Sequence, residues 1–244
     1  GFNVYTTIRA EHQHAANNAL QAALLDYDRR HGYRGPIAEI TLDDADNEKG
    51  LTEKLDPFPA IGPLKPALVT EISDDTATVF IKKHGFETLT IASMKWAQKK
   101  LSTNSRGAIP KKVSDVMKPG DVIRVENMNS KSWQLAQLPE AEGALVSVAP
   151  YDGAVTALKG GFDFFHNKFN RVTQSRRQPG SGFKPFIYSA ALEKGYTAAS
   201  IINDAPVVFD DPGLENVWRP ENYSGKFFGP TRLREALIHS RNLV

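Results

Sequence analysis

The stretch Gln178-Pro-Gly-Ser-Gly-Phe-Lys-Pro-Phe-Ile-Tyr188 sets a serine, Ser181, three residues ahead of a lysine, Lys184. Residues three apart share one face of a helix, so an unprotonated Lys184 amine can take the proton of the Ser181 hydroxyl and turn it into a nucleophile toward a carbonyl. Pro185 fits a helix only in its first turn, which predicts a helix start close to Ser181, and the glycines on either side favour a tight turn there. A helix N-terminus also offers free N–H groups and the positive end of the dipole to a developing oxyanion. No other serine in the chain has a lysine three residues later.

Downstream, Thr231 to His239 carries Leu233, Ala236 and Leu237 at helical spacing, with Thr231 as the expected N-cap, and Ser240-Arg-Asn242 follows. Ser-x-x-Lys, then a Ser-x-Asn type element, then Lys-Thr-Gly is the signature of penicillin-binding proteins and class A β-lactamases. The first two are here in order. No Lys-Thr-Gly or Lys-Ser-Gly occurs, and Lys159-Gly-Gly161 and Ser102-Thr-Asn104 both precede Ser181. The flanks widen the likeness. Arg177-Gln-Pro-Gly180, Phe183-Lys-Pro-Phe186 and Trp218-Arg-Pro-Glu-Asn-Tyr223 resemble the transpeptidase domain of class A penicillin-binding proteins. Glu142-Gly-Ala-Leu-Val-Ser-Val148 with Gly153-Ala-Val-Thr-Ala-Leu-Lys-Gly-Gly161 resembles the paired strands that open it. Val4-Tyr-Thr-Thr-Ile8 and Asp26-Tyr-Asp-Arg-Arg-His-Gly-Tyr-Arg-Gly-Pro36 resemble the linker that follows the glycosyltransferase domain in that family.

The resemblance implies a multi-domain α+β chain: a linker over residues 1–63, a small all-β barrel of oligonucleotide/oligosaccharide-binding (OB) type over 64–140, and the first part of a transpeptidase domain, helices on an antiparallel sheet, over 141–244. It implies D,D-transpeptidation, with Ser181 as nucleophile, Lys184 as base, Ser240 relaying a proton to the leaving amine, and Asn242 holding Lys184 and the substrate amide. The partners implied are peptidoglycan stem peptides ending in D-Ala-D-Ala, glycan strands, β-lactams, a periplasmic or lipoprotein regulator at the OB-like domain, and the protein's own C-terminal remainder. The setting implied is the periplasmic face of a bacterial inner membrane, with the parent anchored by an N-terminal span. No cofactor, metal or nucleic acid is expected. A D,D-carboxypeptidase or β-lactamase uses the same front half of the site but hydrolyses the acyl-enzyme with water. A non-catalytic module, whose barrel docks a regulator or glycan strand, is the reading from a different class. In the family the Lys-Thr-Gly strand gives the second oxyanion donor, and losing one such donor costs roughly 2.7–4 kcal/mol. The chain alone is therefore expected to be nearly or wholly inactive.

These residues need a scaffold, and 244 residues with 41% apolar content can build one large domain or two small ones. Cysteine is absent, which excludes disulfides and thiolate metal sites. A net charge of +2 is too mild to indicate nucleic acid, and no stretch approaches the roughly 18 apolar residues of a membrane span. Alternating or β-branched runs predict strands over Ala67–Ile72, Ala77–Ile81, Glu87–Ile91, Asp121–Val125 and Ser132–Leu135, enough for a small barrel. A short strand is expected over Val4–Ile8, then a helix from about Ala15 to Arg30 ended by His31-Gly32.

Pro36 to Pro63 reads as a Pro- and Asp-rich segment, and Asp43 to Gly50 as a solvated acidic loop, since its glycine is out of step with a calcium loop and the twelfth position is not glutamate. Lys95, Lys99, Lys100, Lys111 and Lys112 around Trp96 suggest a nucleic-acid surface, but the preferred reading is a basic surface with a packed tryptophan. His12 and His14 lack a third metal ligand nearby. His239 suits a helix C-terminus structurally, and Pro179 and Phe183 occupy the glycine positions of a Gly-x-Ser-x-Gly elbow.

Overall fold

The computed structural model describes residues 1–43, 47–128, 132–207 and 219–244, Met128 by its backbone alone. Residues 44–46 of the acidic stretch, and Trp218, lie outside the described residues. The chain forms two compact units, Gly1–Ser175 and Arg176–Val244.

In the first unit, helix α1 (Ala10–Arg29) buries Ala16, Leu20, Leu24 and Leu25, an apolar stripe at i, i+4 spacing. It begins ahead of Ala15, taking in the polar His12-Gln-His14 turn. The strand expected over residues 4–8 is absent. Val4 and Tyr5 are exposed, and this end is tied down by the Thr7 Oγ1 donating to the Val155 carbonyl at 2.7 Å and the Arg9 N–H donating to that of Thr156 at 2.9 Å. Alternation alone does not make a strand, because backbone groups need a neighbour to pair with.

Strand β1 (Ala38–Glu39) is followed by helix α2 (Glu48–Leu55). The Asn47 Oδ1 caps α2 by accepting from the N–H groups of Lys49 and Gly50, each at 3.1 Å. The helix therefore takes up the end of the segment expected to be a loop. Strands β2 (Lys65–Ile72), β3 (Thr76–Ile81) and β4 (Gly85–Thr90) form an antiparallel meander with Val69 opposite Val79 and Thr78 opposite Thr88. A hairpin of β5 (Lys100–Ser102) and β6 (Ser105–Arg106) intervenes. Strand β7 (Asp121–Met128) then pairs with β2 on one side, and on the other with β1 at its start and β8 (Ser132–Ala136) beyond. The five expected strands are these, each a little longer or shifted at an end.

Successive residues in a strand face opposite sides. Val69, Val79, Leu89, Ile123, Val125 and Leu135 fill one core with Tyr33, Met94 and Val113, while Leu68, Phe80 and Val122 meet Leu51 and Leu55 of α2 on the other face. Residues 33–63 thus give this sheet a core tyrosine, an edge strand and a covering helix. The sheet stays open: among the described residues no ladder joins β4 to β8. Trp96 is half-buried and packs edge-on against Tyr33, 5.8 Å between ring centroids. Lys112 pairs with Asp74 at 2.9 Å, and Lys100 with Glu140.

Strands β9 (Leu145–Val148) and β10 (Val155–Lys159) pair antiparallel as expected. Helix α1 is fastened to β10 by Gln13, whose Nε2 donates to the Leu158 carbonyl and whose Oε1 accepts from the Leu158 N–H, both at 3.0 Å. Its leucines close a second core with Ile61, Leu64, Ala136 and Phe162.

The second unit holds helix α3 (Lys184–Glu193), strands β11 (Ile201–Asp204) and β12 (Gly229–Arg232), which pair antiparallel, and helix α4 (Leu233–Ile238). Thr231 is not the N-cap of α4. It lies within β12, where its Oγ1 donates to the Gly229 carbonyl at 3.0 Å, and the helix starts after Arg232. Among the described residues no helix is long and apolar enough to cross a membrane.

Candidate active site

Ser181 lies in a single 3-10 turn, Gly180–Phe183, that runs directly into α3. Gly180 has φ of 54°, a left-handed conformation that favours glycine, and Pro185 stands in the first turn of α3. The helix start read from the sequence is here, with Lys184 as the first residue of α3.

Ser240 is set by the end of α4. Its N–H donates to the Leu237 carbonyl at 3.1 Å and the Arg241 N–H reaches back to that of Ala236 at 2.8 Å. This pair of bonds is a Schellman closure, in which the residue after the C-cap adopts the left-handed conformation, usually as glycine. Ser240 takes it with φ of 52°. The turn brings the Ser240 Oγ within 2.9 Å of the Ser181 Oγ, to which it donates.

The Lys184 amine does not bond Ser181 directly, as the helical spacing suggested. Its hydrogen bonds go to the Ser240 Oγ at 3.0 Å, the Ser240 and Arg241 carbonyls at 2.6 and 2.7 Å, and the Asn242 Oδ1 at 2.9 Å. The path from amine to nucleophile is Lys184 to Ser240 to Ser181. Burial pushes the Lys184 amine below the ordinary lysine value, while the oxygens around it favour the charged form.

Asn242 is gripped from one segment. Its Nδ2 donates to the Glu221 carbonyl at 2.8 Å and its backbone N–H to the Asn222 Oδ1 at 2.8 Å. Asn222 is itself buried, and its Nδ2 donates to both oxygens of Asp204, at 2.8 and 2.9 Å, and to the Lys226 carbonyl at 2.9 Å. Ser181, Ser240, Asn242, Asn222 and Tyr223 line a cleft of about 520 Å³. His239, also on its wall, pairs with Glu235 at 3.6 Å instead of serving Ser240.

Sequence reasoning placed Ser181, Lys184, Ser240 and Asn242 in one site, and they meet there. The motifs give no role to Asn222 or to Asp204. The signal for Asn222 was its place in the Trp218 to Tyr223 stretch; Asp204 gave none. His12 and His14 lie apart on α1, His12 half-buried and His14 exposed.

Compared with known families, residues 33–141 match the penicillin-binding protein OB-like domain and residues 143–244 the penicillin-binding protein transpeptidase domain. The chain is 47% identical, over its whole length, to penicillin-binding protein 1A of Pseudomonas aeruginosa, of which it spans 29%. It is 43% identical over its whole length to penicillin-binding protein 1A of Escherichia coli, spanning 29% of that protein. The crystal structure of penicillin-binding protein 1A from Haemophilus influenzae superposes with a TM-score of 0.78 at 36% identity, over 98% of this chain and 34% of that one. With two matched domains in sequence order, a serine and a Ser-x-Asn turn lining one cleft and a lysine bonded to that turn, the chain belongs to the class A penicillin-binding proteins.

Proposed function

We propose that the protein carrying this chain is a D,D-transpeptidase of peptidoglycan synthesis acting through an acyl-enzyme at Ser181. The hydrogen-bonded path from Lys184 through Ser240 to Ser181 is the observation that supports it. With Lys184 unprotonated, the Ser181 Oγ adds to the carbonyl of the penultimate D-Ala of a stem peptide while its proton passes through the Ser240 hydroxyl to the amine. The peptide C–N bond then breaks, the proton returns through Ser240 to the departing D-Ala amine, and an ester remains on Ser181. The amine of a second stem peptide attacks that ester, its proton passes through Ser240 to the Ser181 oxygen as the ester C–O bond breaks, and the new amide leaves Ser181 as a free hydroxyl. Substrate that fills the cleft also displaces water from Lys184, which lowers its proton affinity further. Asn242 spends one N–H on Glu221 and keeps the other for the substrate amide.

β-Lactams enter as mimics of the D-Ala-D-Ala end. The second oxyanion donor comes from a Lys-Thr-Gly type strand in sequence that follows this chain in the parent. The parent is anchored in the inner membrane with these domains in the periplasm, and its OB-like domain docks a regulator or glycan strand. The test is intact-mass spectrometry after incubation with a fluorescent penicillin, on the chain alone and on the protein with its native continuation. An adduct mapped to Ser181 in the longer protein and lost in Ser181→Ala is the expected result. A folded longer protein without adduct refutes the reading.

A further inference from the structure

We infer that Asp204 and Asn222 are positioning residues for the acylation step, an inference that rests on the transpeptidase reading and assigns roles to two residues outside its Ser-x-x-Lys and Ser-x-Asn motifs. Asp204 closes β11 with no exposed surface. A buried carboxylate needs compensating donors, and both of its oxygens accept from the Nδ2 of Asn222, 18 residues on. The Lys226 carbonyl stands on the same side of that amide. Three oxygens therefore face the amide NH2. Turning the Asn222 amide over would set its own oxygen against all three, so the Asp204 carboxylate decides which way the amide points.

What it points at is the backbone of the catalytic turn. The Asn222 Oδ1 accepts from the Asn242 N–H at 2.8 Å, the next N–H after the Schellman closure of α4 ends at Arg241. The neighbouring Glu221 carbonyl takes the Asn242 side-chain N–H, which turns the Asn242 Oδ1 toward the Lys184 amine at 2.9 Å. Asp204 thereby acts on Lys184 through Asn222 and Asn242. The same grip holds the carbonyls of Ser240 and Arg241, which also bind that amine. Neither Asp204 nor Asn222 bonds Ser181, Lys184 or Ser240, so their effect is on placement of the base and relay.

The experiment uses the protein with its native continuation and resolves the reversible binding constant and the acylation rate constant for a fluorescent penicillin. The variants are Asn222→Asp, Asp204→Asn and the double exchange, each with a thermal melt. Asn222→Asp sets two carboxylates face to face, and a misplacement of this kind slows the chemical step by about 100-fold with reversible binding little changed. Asp204→Asn removes the bias on the amide and gives a smaller loss in the same constant. The double exchange puts a donor back against a carboxylate and leaves an oxygen to accept from the Asn242 N–H, so it recovers at least part of the rate. Both single variants acylating at the parental rate, or losing rate only in proportion to unfolded protein, overturns the positioning role and leaves the transpeptidase reading intact. No acylation of the unmutated, folded protein refutes the transpeptidase reading first.

Discussion

With φ of 52°, Ser240 holds a backbone conformation that its Cβ disfavours, at a cost of about 1–2 kcal/mol. Glycine is the residue that a Schellman closure prefers there. Ser240→Gly is accordingly expected to raise the stability of the helix end by about 1 kcal/mol while slowing penicillin acylation about 100-fold through loss of the hydroxyl relay. Urea denaturation and the acylation rate, read on the same preparation, check both halves; a variant that is both slower and less stable contradicts the strain argument. Lys184 carries the second residue-scale expectation. It accepts a proton only when neutral, and burial lowers its affinity for one. Acylation therefore rises with pH along a limb whose midpoint lies below the ordinary lysine value and fades as acid protonates the amine. Lys184→Ala removes that limb together with nearly all acylation, and a pH profile of the two proteins measures it. Ser181, Lys184, Ser240 and Asn242 were legible because each belongs to a motif a few residues long. Asn222 stood out only as part of the Trp218 to Tyr223 stretch and without a role, and Asp204 not at all, because an ordinary aspartate and asparagine acquire a role only when the fold joins them to each other and Asn222 to Asn242.

Among the elements, the strands of the sheet were legible for the same local reason: Val, Ile, Leu and Thr alternate between two buried faces, and period-2 patterning survives whatever packs on either side. Helix α2 was hidden. It has just two buried residues, Leu51 and Leu55, and its cap, Asn47, sits in an acidic run that reads as solvated. Residues 4–8 erred the other way, with a pattern that found no partner strand. The weight carried by α2 is measurable. Leu55 is 1% exposed, and Leu55→Ala should cost about 2–5 kcal/mol in urea denaturation. Lys49→Ala on the solvent side, whose pairing with Glu53 is 3.9 Å long and exposed, should cost less than about 0.5 kcal/mol. Equal effects at the two positions contradict the assignment of α2 to the sheet's second face.

The molecule as a whole is two compact units whose boundary falls at Ser175 and Arg176. Around it, residues 175–179 are exposed and belong to no helix or strand, and they include Arg176 and Arg177. Limited trypsin digestion is expected to cut there first and leave a fragment close to Gly1–Ser175 that resists further cleavage, as read by mass spectrometry. Early loss of β2 to β8 instead contradicts the division. Helix α3 has no buried residue and shows Phe186, Ile187 and Leu192 to solvent.

The Gln13 fastening has a consequence in time. It joins residues 145 positions apart, so a ribosome adding about 5–20 residues per second finishes β10 roughly 7–30 s after it has made Gln13. For that interval α1 exists without its polar fastening and without Phe162 over its leucines. Helix α1 is thus fastened only after the whole of the β1 to β8 sheet has been made, although it precedes that sheet in the sequence.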